Sequence, residues 1–415
     1  MRKLTAFLFL SLAAACTSFE RNPYADSLRT LAVTVVWPEE WTDFCREGVG
    51  VTLSDRNTSN VYTASTDALG RAEFLVAAGH YRLSVLDKAD ASAVFNGTVE
   101  LVDLARGDVS LEMALSYSRP GAILIKELYS GGCPADPPAT GTNTYDKYLI
   151  LHNNSAERVY LDGLCLATVA PYNSKASNNP WTSTDASGNI VFREYAAVPD
   201  CIWQFGGAGG DFPLDAGEDA VVALLEAVDH TQTYSLSVDL NREGYFVCYD
   251  QLLYPGQKNR PITAPGDRIE ASHHLRVLKK TGRSGENGAN TYVVSQYSPA
   301  MIVFRAPEDF DLEAYMADDL ASTVLLASIS YSKVPWEWVL DGVEVSDNTG
   351  ANNWKRLPLD IDAGSVGFSG TSLGHTVHRR ADETASANSG YEVLQDTNNS
   401  SNDFYERETQ SLREL

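Results

Sequence analysis

Positive charge is what this chain has least of. Its 415 residues carry 32 lysines and arginines against 55 aspartates and glutamates. So acidic a surface repels nucleic acid and anionic lipid, which excludes both as general partners. Long apolar runs are also lacking. After residue 16 no segment approaches the ~18 uninterrupted apolar residues of a membrane-crossing helix. Catalytic signatures are missing as well. Gly367-Phe368-Ser369-Gly370 and Gly282-Arg283-Ser284-Gly285 each lack the second glycine of a nucleophile elbow. No HExxH occurs, and no CxxC or Cys/His spacing points to zinc. Carboxylates abound, but in such an acidic chain close pairs arise by chance and do not argue for glycosidase chemistry. The expectation is a protein that is not an enzyme and needs no cofactor or metal.

What the chain does have begins at its first residue. Arg2 and Lys3 precede the apolar run Leu4–Leu12, and Ala13, Ala14 and Ala15 stand just before Cys16. Small residues before a cysteine are what a lipoprotein signal peptidase cuts, leaving Cys16 to be acylated. Lipid on Cys16 would hold an otherwise soluble chain to a membrane, at ~0.8 kcal/mol per buried CH₂. Residues 1–16 are therefore read as a signal peptide and 17–28 as a polar tether. By similarity to Gram-negative lipoproteins, Thr17 rather than Asp after the cysteine implies the outer membrane, with the cell surface favoured over the periplasmic face. Loss of Arg2 and Lys3 leaves the mature chain with 30 basic and 55 acidic residues, a net of −25.

With Cys16 lipidated, Cys45, Cys133, Cys165, Cys201 and Cys248 remain, an odd number that cannot all pair. An oxidising compartment permits bridges. The preferred pairs are Cys133 with Cys165 and Cys201 with Cys248, and connectivity is otherwise open. With 44% hydrophobic residues the chain can build a real core, and its length suggests two domains.

Residues 29–117 read as short strands between turns. Thr66-Asp67-Ala68-Leu69-Gly70 is a turn in which Asp67 bonds the backbone and Gly70 takes positive φ. Tyr81, Leu83 and Val85 alternate onto one strand face. The ordered set G-V-x-V-x-L, T-D-x-x-G-x-x-x-F and G-x-Y-x-L-x-V resembles the carboxypeptidase-regulatory-like domain, which implies a small transthyretin-like β-sandwich serving as spacer or scaffold.

Residues 118–415 stay β-rich. Ile123–Ile125 and Tyr148–Leu151 look like buried strands, and Asn153-Asn154-Ser155 is a turn cluster. Pro307–Ser322 is the clearest predicted helix, with Phe310, Tyr315, Met316 and Leu320 on one face. The residues Ile125, Glu127, Tyr129, Tyr148, Asn153, Leu161 and Gly163 resemble the opening of lamin-tail-type β-sandwich domains. Further on, Trp338–Glu344, Leu357-Pro358, Asp362-Ala363-Gly364, Leu394–Ser400 and Asp403-Phe404 resemble a domain of unknown function found in Gram-negative surface lipoproteins. That resemblance implies an accessory of TonB-dependent receptors and brings no catalytic residues with it.

Three remaining clusters invite chemistry. Asp239-Leu240-Asn241-Arg242-Glu243-Gly244 with Asp250 has the outline of a calcium loop, but Val247 and the lack of flanking helices favour a turn entering a strand. His273-His274 and His375/His378 cannot each present two imidazoles from one strand face, so surface histidines beside Arg379 and Arg380 are expected. Residues 258–283 hold Lys258, Arg260, Arg268, Arg276, Lys279, Lys280 and Arg283 against Asp267 and Glu270. That stretch is either a solvated hairpin or a face for an anionic partner, with Arg276, Lys279 and Lys280 as the contact candidates. The reading is an all-β, non-enzymatic outer-membrane lipoprotein serving a TonB-dependent uptake system as a binding or assembly accessory. A surface adhesin is the alternative.

Overall fold

The computed structural model describes residues 28–39, 41, 46–58, 60–90, 93–118, 121–176, 180–184, 190–199, 201–250, 262–280, 292, 294–318, 321–326, 329–347 and 353–414. The signal peptide, Cys16, the tether to residue 27 and Cys45 lie outside them, as do Lys258, Arg260, Arg283 and the side chains of Lys279 and Lys280. The fold is all-β, as expected, and the chain forms two compact units. The smaller draws its described residues from Met1–Val35, Arg46–Leu83 and Val99–Met113, the larger from Val36–Cys45, Ser84–Thr98 and Ala114–Leu415.

The first strands are β1 (Leu28–Val36), β2 (Gly50–Asp55), β3 (Val61–Ser65), β4 (Arg71–Ala77), β5 (His80–Asp90), β6 (Ala93–Asp103), β7 (Val109–Ala114) and β8 (Ser116–Ser118). In the smaller unit β1 lies between β4 and β7, with Leu31 opposite Phe74. Along β4 alternate residues are buried, the period of a half-covered sheet. The Asp67 turn forms as expected. Its carboxylate accepts from the N–H groups of Leu69 (2.8 Å) and Arg71 (2.9 Å), and Gly70 has φ +73°.

The larger unit continues with β9 (Ile123–Tyr129), β10 (Cys133–Pro134), β11 (Thr142–Asn143), β12 (Tyr148–Asn153), β13 (Val159–Tyr160), β14 (Cys165–Thr168), β15 (Thr182–Thr184), β16 (Ile190–Phe192), β17 (Tyr195–Val198), β18 (Cys201–Gln204), β19 (Pro213–Leu214), β20 (Asp219–Ala223) and β21 (Phe246–Val247). It ends with β22 (Arg276–Lys280), β23 (Ala300–Phe304), α1 (Leu312–Ala317), β24 (Ser322–Leu326), β25 (Ile329–Pro335), β26 (Val339–Asp347), β27 (Val366–Phe368), β28 (Thr376–Arg379), α2 (Glu383–Ser389), α3 (Ser400–Asp403) and β29 (Phe404–Arg407). Two six-stranded sheets, ordered β21-β20-β12-β9-β28-β29 and β22-β18-β14-β23-β26-β27, enclose one apolar core. Leu149, Leu151 and Val222 enter it from the first sheet; Leu166, Trp203 and Met301 enter from the second.

Both sheets are covered on their outer faces too. Tyr148, Ile150 and Val221 pack outward against Val238, Leu240 and Leu412, while Ile302 and Phe304 pack against Leu312 and Met316 of α1. Strands buried on two faces read as unbroken apolar runs, which is why β12 and β23 lack alternation in the sequence.

The helix is shorter than its sequence pattern suggests. Asp311, not Pro307, opens it by accepting from Ala314 N–H at 2.8 Å, and β24 already begins at Ser322. Its face still works: Leu312 and Met316 are buried, and Phe310 and Tyr315 pack on the Trp338 ring. The Cys133–Cys165 bridge does not form. Cys133 faces Asp146 at 3.6 Å and Cys165 faces the Gly163 carbonyl at 3.6 Å, each a buried free thiol with its own partner. Cys201 and Cys248 are both buried in the sandwich core, close enough to interact.

Candidate functional site

A cavity of about 850 Å³ opens beside the edge of the first sheet. One wall is a glycine-rich loop, Gly206-Gly207-Ala208-Gly209-Gly210-Asp211, that leads from β18 to β19. Asp162, in the turn between β13 and β14, is the main hold on that loop. Its Oδ1 accepts the N–H groups of Gly209 (2.9 Å), Gly210 (3.1 Å) and Asp211 (3.0 Å), and its Oδ2 accepts that of Phe212 (2.9 Å). Burial raises the Asp162 carboxyl, but the converging N–H groups outweigh it and hold it below the usual carboxylate range. Gly207 sits at φ +92°, and a Cβ there would fall 2.0 Å from Asp162 Oδ1, so only glycine fits. The loop is thereby fixed, and it delivers Asp211 and Phe212 to the rim.

The floor is aromatic. Phe212 and Phe246 meet edge to face with centroids 5.2 Å apart, and the His273 ring packs 4.5 Å from Phe246 and 5.4 Å from Phe212. Asp211, Glu218, Asp219 and Glu270 line the rim. Glu218 accepts from Asp215 N–H and Asp211 from Ala208 N–H, each at 2.8 Å.

Asp219 also belongs to a second group with His152, Glu392 and Lys126. His152 Nδ1 lies 2.7 Å from Asp219 Oδ1, and its Nε2 lies 3.0 Å from the Glu392 carbonyl. Lys126 Nζ lies 2.6 Å from Asp219 and 2.5 Å from Glu392. Histidine and two carboxylates in reach of one another could hold a metal ion, but here the lysine ammonium fills the place of the cation. Burial opposes the charge on Lys126, the two carboxylates overcome it, and the ammonium titrates above its usual range.

The neighbourhood of His273 does not assemble a hydrolytic relay. Ser272 Oγ lies 3.2 Å and Glu270 Oε2 4.0 Å from the same ring nitrogen, Nδ1, whereas a relay needs nucleophile and carboxylate on opposite nitrogens.

The other expected site residues are scattered. His274 packs on Tyr249, apart from the cavity floor that takes His273. His375 bonds Glu406 at 2.8 Å while His378 bonds the Arg379 carbonyl at 2.7 Å, so the two imidazoles are not presented together. Asp239 accepts from Asn241 N–H in a turn that enters β21. Arg276 is tied to Gln204 (2.7 Å) and Glu313 (3.3 Å).

The histidines expected at the surface, His273, His274, His375 and His378, are half-buried, and Arg379 beside the last of them is fully buried. Its guanidinium reaches Asp341 (2.6 Å), Asp396 (3.3 Å) and Asp403 (3.8 Å) and stacks on Phe404 with 4.5 Å to the ring centroid. A second buried group joins Glu344 to Lys355 and Arg356, with Asp362 accepting from Ser400 and Glu344. The Trp338–Glu344, Asp362 and Leu394–Asp403 motifs thus build the interior rather than a site. Tyr172, Tyr297 and Trp354, by contrast, are exposed aromatics on loops drawn together by Ser174, whose carbonyl accepts Trp354 N–H at 2.7 Å and whose own N–H donates to Ser298 Oγ at 3.0 Å.

Fold and cavity together define an all-β sandwich protein with a recessed pocket, aromatic below and acidic around. Residues 215–411 carry a domain matching the family model described as "Protein of unknown function (DUF4876)". No curated protein matches the chain. Among solved structures, a DUF4876 family protein from Bacteroides thetaiotaomicron is 24% identical, with a TM-score of 0.55 over 91% of this chain and 94% of that one. That likeness shows a shared fold. A protein from Bacteroides uniformis, provisionally described as carbohydrate binding, is 11% identical over 40% of this chain and 70% of that one, TM-score 0.17. One from Bacteroides ovatus, provisionally described as an adhesin, is 8% identical over 83% and 94%, TM-score 0.19. At such TM-scores neither carries an argument about this chain.

Proposed function

We propose that this protein is a non-catalytic ligand-binding lipoprotein of the outer membrane, and that the cavity on the first sheet is its binding site. The observation that carries the reading is the cavity itself. Its volume of about 850 Å³ falls in the ~300–1,000 Å³ range of small-molecule sites, and it combines an apolar floor with a few placed polar groups. Asp211 and Glu218 are held by backbone N–H groups and Asp219 by Lys126, and the Ser272–His273 contact has its carboxylate on the same ring nitrogen as the hydroxyl, which favours binding over turnover. The signal residues before Cys16 support export and anchoring. Service to a TonB-dependent receptor is the finer form of the proposal and rests on the family resemblance in the sequence.

A thermal-shift screen of the mature protein against small-molecule libraries tests the site. Ligands at about 100 times Kd stabilise by ~2.7 kcal/mol, and Phe212→Ala, read against that variant's own unliganded transition, should abolish their shifts. Shifts that persist in Phe212→Ala would place binding elsewhere. Cys16→Ala should move the protein from the membrane to the soluble fraction, and recovery of a chromosomally encoded receptor with wild type tests the uptake role.

Surface adhesion is the second reading, favoured by the exposed Tyr172, Tyr297 and Trp354. Loss of host-glycan or matrix binding on changing all three to alanine, with pocket binding intact, would support it.

A further inference from the structure

The balance of charge around the cavity narrows what it can hold. Asp211, Glu218, Asp219 and Glu270 line it, and among the described lining residues there is no lysine or arginine. Asp219 brings its own cation in Lys126. Asp211 and Glu218 are aimed by backbone N–H groups, which orient them without supplying a countercharge. The Glu270 side chain is 65% exposed, accepts from Ser272 Oγ at 3.3 Å and reaches His273 at 4.0 Å, which leaves it without a lysine or arginine partner among the described residues. The rings of Phe212 and Phe246 line the cavity too, with His273 packed on them, and the face of an aromatic ring is the negative side of its quadrupole. Carboxylate rim and aromatic floor act in the same direction: they repel carboxylate, phosphate and sulfate groups and attract an ammonium.

We infer that the pocket takes an organic cation, an amine or quaternary ammonium carried on an apolar body, with the charged head among Asp211, Glu218 and Glu270 and the body over Phe212 and Phe246. The inference rests on the cavity being the ligand site. A neutral sugar is the rival occupant. It could stack on Phe212 and bond the carboxylates, but it would leave their charge uncompensated.

Calorimetric titration of the mature protein with matched pairs separates these. Phenethylamine against 2-phenylethanol, and choline against 3,3-dimethylbutanol, differ in charge and little in shape; glucose and N-acetylglucosamine probe the rival. Each cation should bind roughly tenfold more tightly than its neutral partner, as expected for one desolvated cation–π and carboxylate contact. Its affinity should fall several-fold between 50 and 500 mM salt. Glu270→Gln should weaken the cations about threefold, leave the alcohols unchanged and leave the unfolding transition in place. Equal affinity within the pairs, or sugar binding indifferent to Glu270→Gln, would overturn the charge inference and leave the pocket standing as a binding site. If the folded protein bound none of the probes, both would fall.

Discussion

Removing the Arg379 guanidinium while keeping its apolar stem, as Arg379→Met does, would leave Asp341, Asp396 and Asp403 buried together with no cation among them. It would also strand the Ile125 and Gln395 carbonyls that Arg379 serves at 2.8 and 3.2 Å. Breaking a buried ion pair from one side costs ~3–5 kcal/mol, and two orphaned carbonyls add ~1–3 kcal/mol each at most. These costs overlap, so a loss of about 4–6 kcal/mol at pH 8 is expected. The loss should depend on pH. Burial raises Asp341, Arg379 pulls it down and Asp396 pushes it up again, leaving it at about 7; Asp403 stands at about 6 for the same reasons. Without the guanidinium these carboxyls would take up protons more readily still. At pH 5.5 the variant escapes part of its penalty, by about 2 kcal/mol at ~1.4 kcal/mol per proton and pH unit. Urea unfolding followed by tryptophan fluorescence at the two pH values gives both numbers. A loss under about 1 kcal/mol at pH 8, or equal losses at pH 5.5 and 8, would refute the view that the Arg379 guanidinium is the main countercharge to these carboxylates.

The same carboxyls give the wild type a signature. Their folded pKa values lie above the ordinary 3.8, so the native state holds more protons than the unfolded chain between about pH 4 and 7, and their contribution to stability falls as pH rises through that window; Asp403→Asn should flatten this part of the stability–pH curve. Asp162→Ala removes the carboxylate that accepts four loop N–H groups and should cost about 2–3 kcal/mol while eliminating pocket binding, readable by calorimetry on a protein whose circular dichroism is unchanged. Burial pushes the Cys133 and Cys165 thiols up to about 12; neither should react with a thiol reagent at pH 8 in the native protein, and both should react in urea. Fast native labelling at either would contradict their placement.

Much of the fold was legible because it depends on short-range chemistry. The Asp67–Gly70 turn announces itself, and the runs at Ile123 and Tyr148 mark strands covered on both faces. The site was not legible. Its parts lie at 162, 207–219, 246 and 270–273, and nothing local in Leu161-Asp162-Gly163 says that the aspartate will anchor N–H groups 47 to 50 residues later. The run of glycines at 206–210 was the available signal, since so much conformational freedom needs something to restrain it. The burial of Arg379 was hidden for a related reason. Two adjacent arginines after a histidine pair look solvated until three carboxylates from 341, 396 and 403 are seen to converge on one of them.

Lys126 carries a consequence for how the molecule behaves in different media. A group of histidine and two carboxylates that recruited a metal would have an occupancy set by the surroundings: loaded where divalent ions are plentiful, empty where chelators or competing ligands strip them. Here the cation is covalently part of β9, held against β20 and the stretch after α2. A tethered ion has no dissociation constant, so the wall of the cavity that Asp219 forms should keep its shape through dilution, dialysis and EDTA alike.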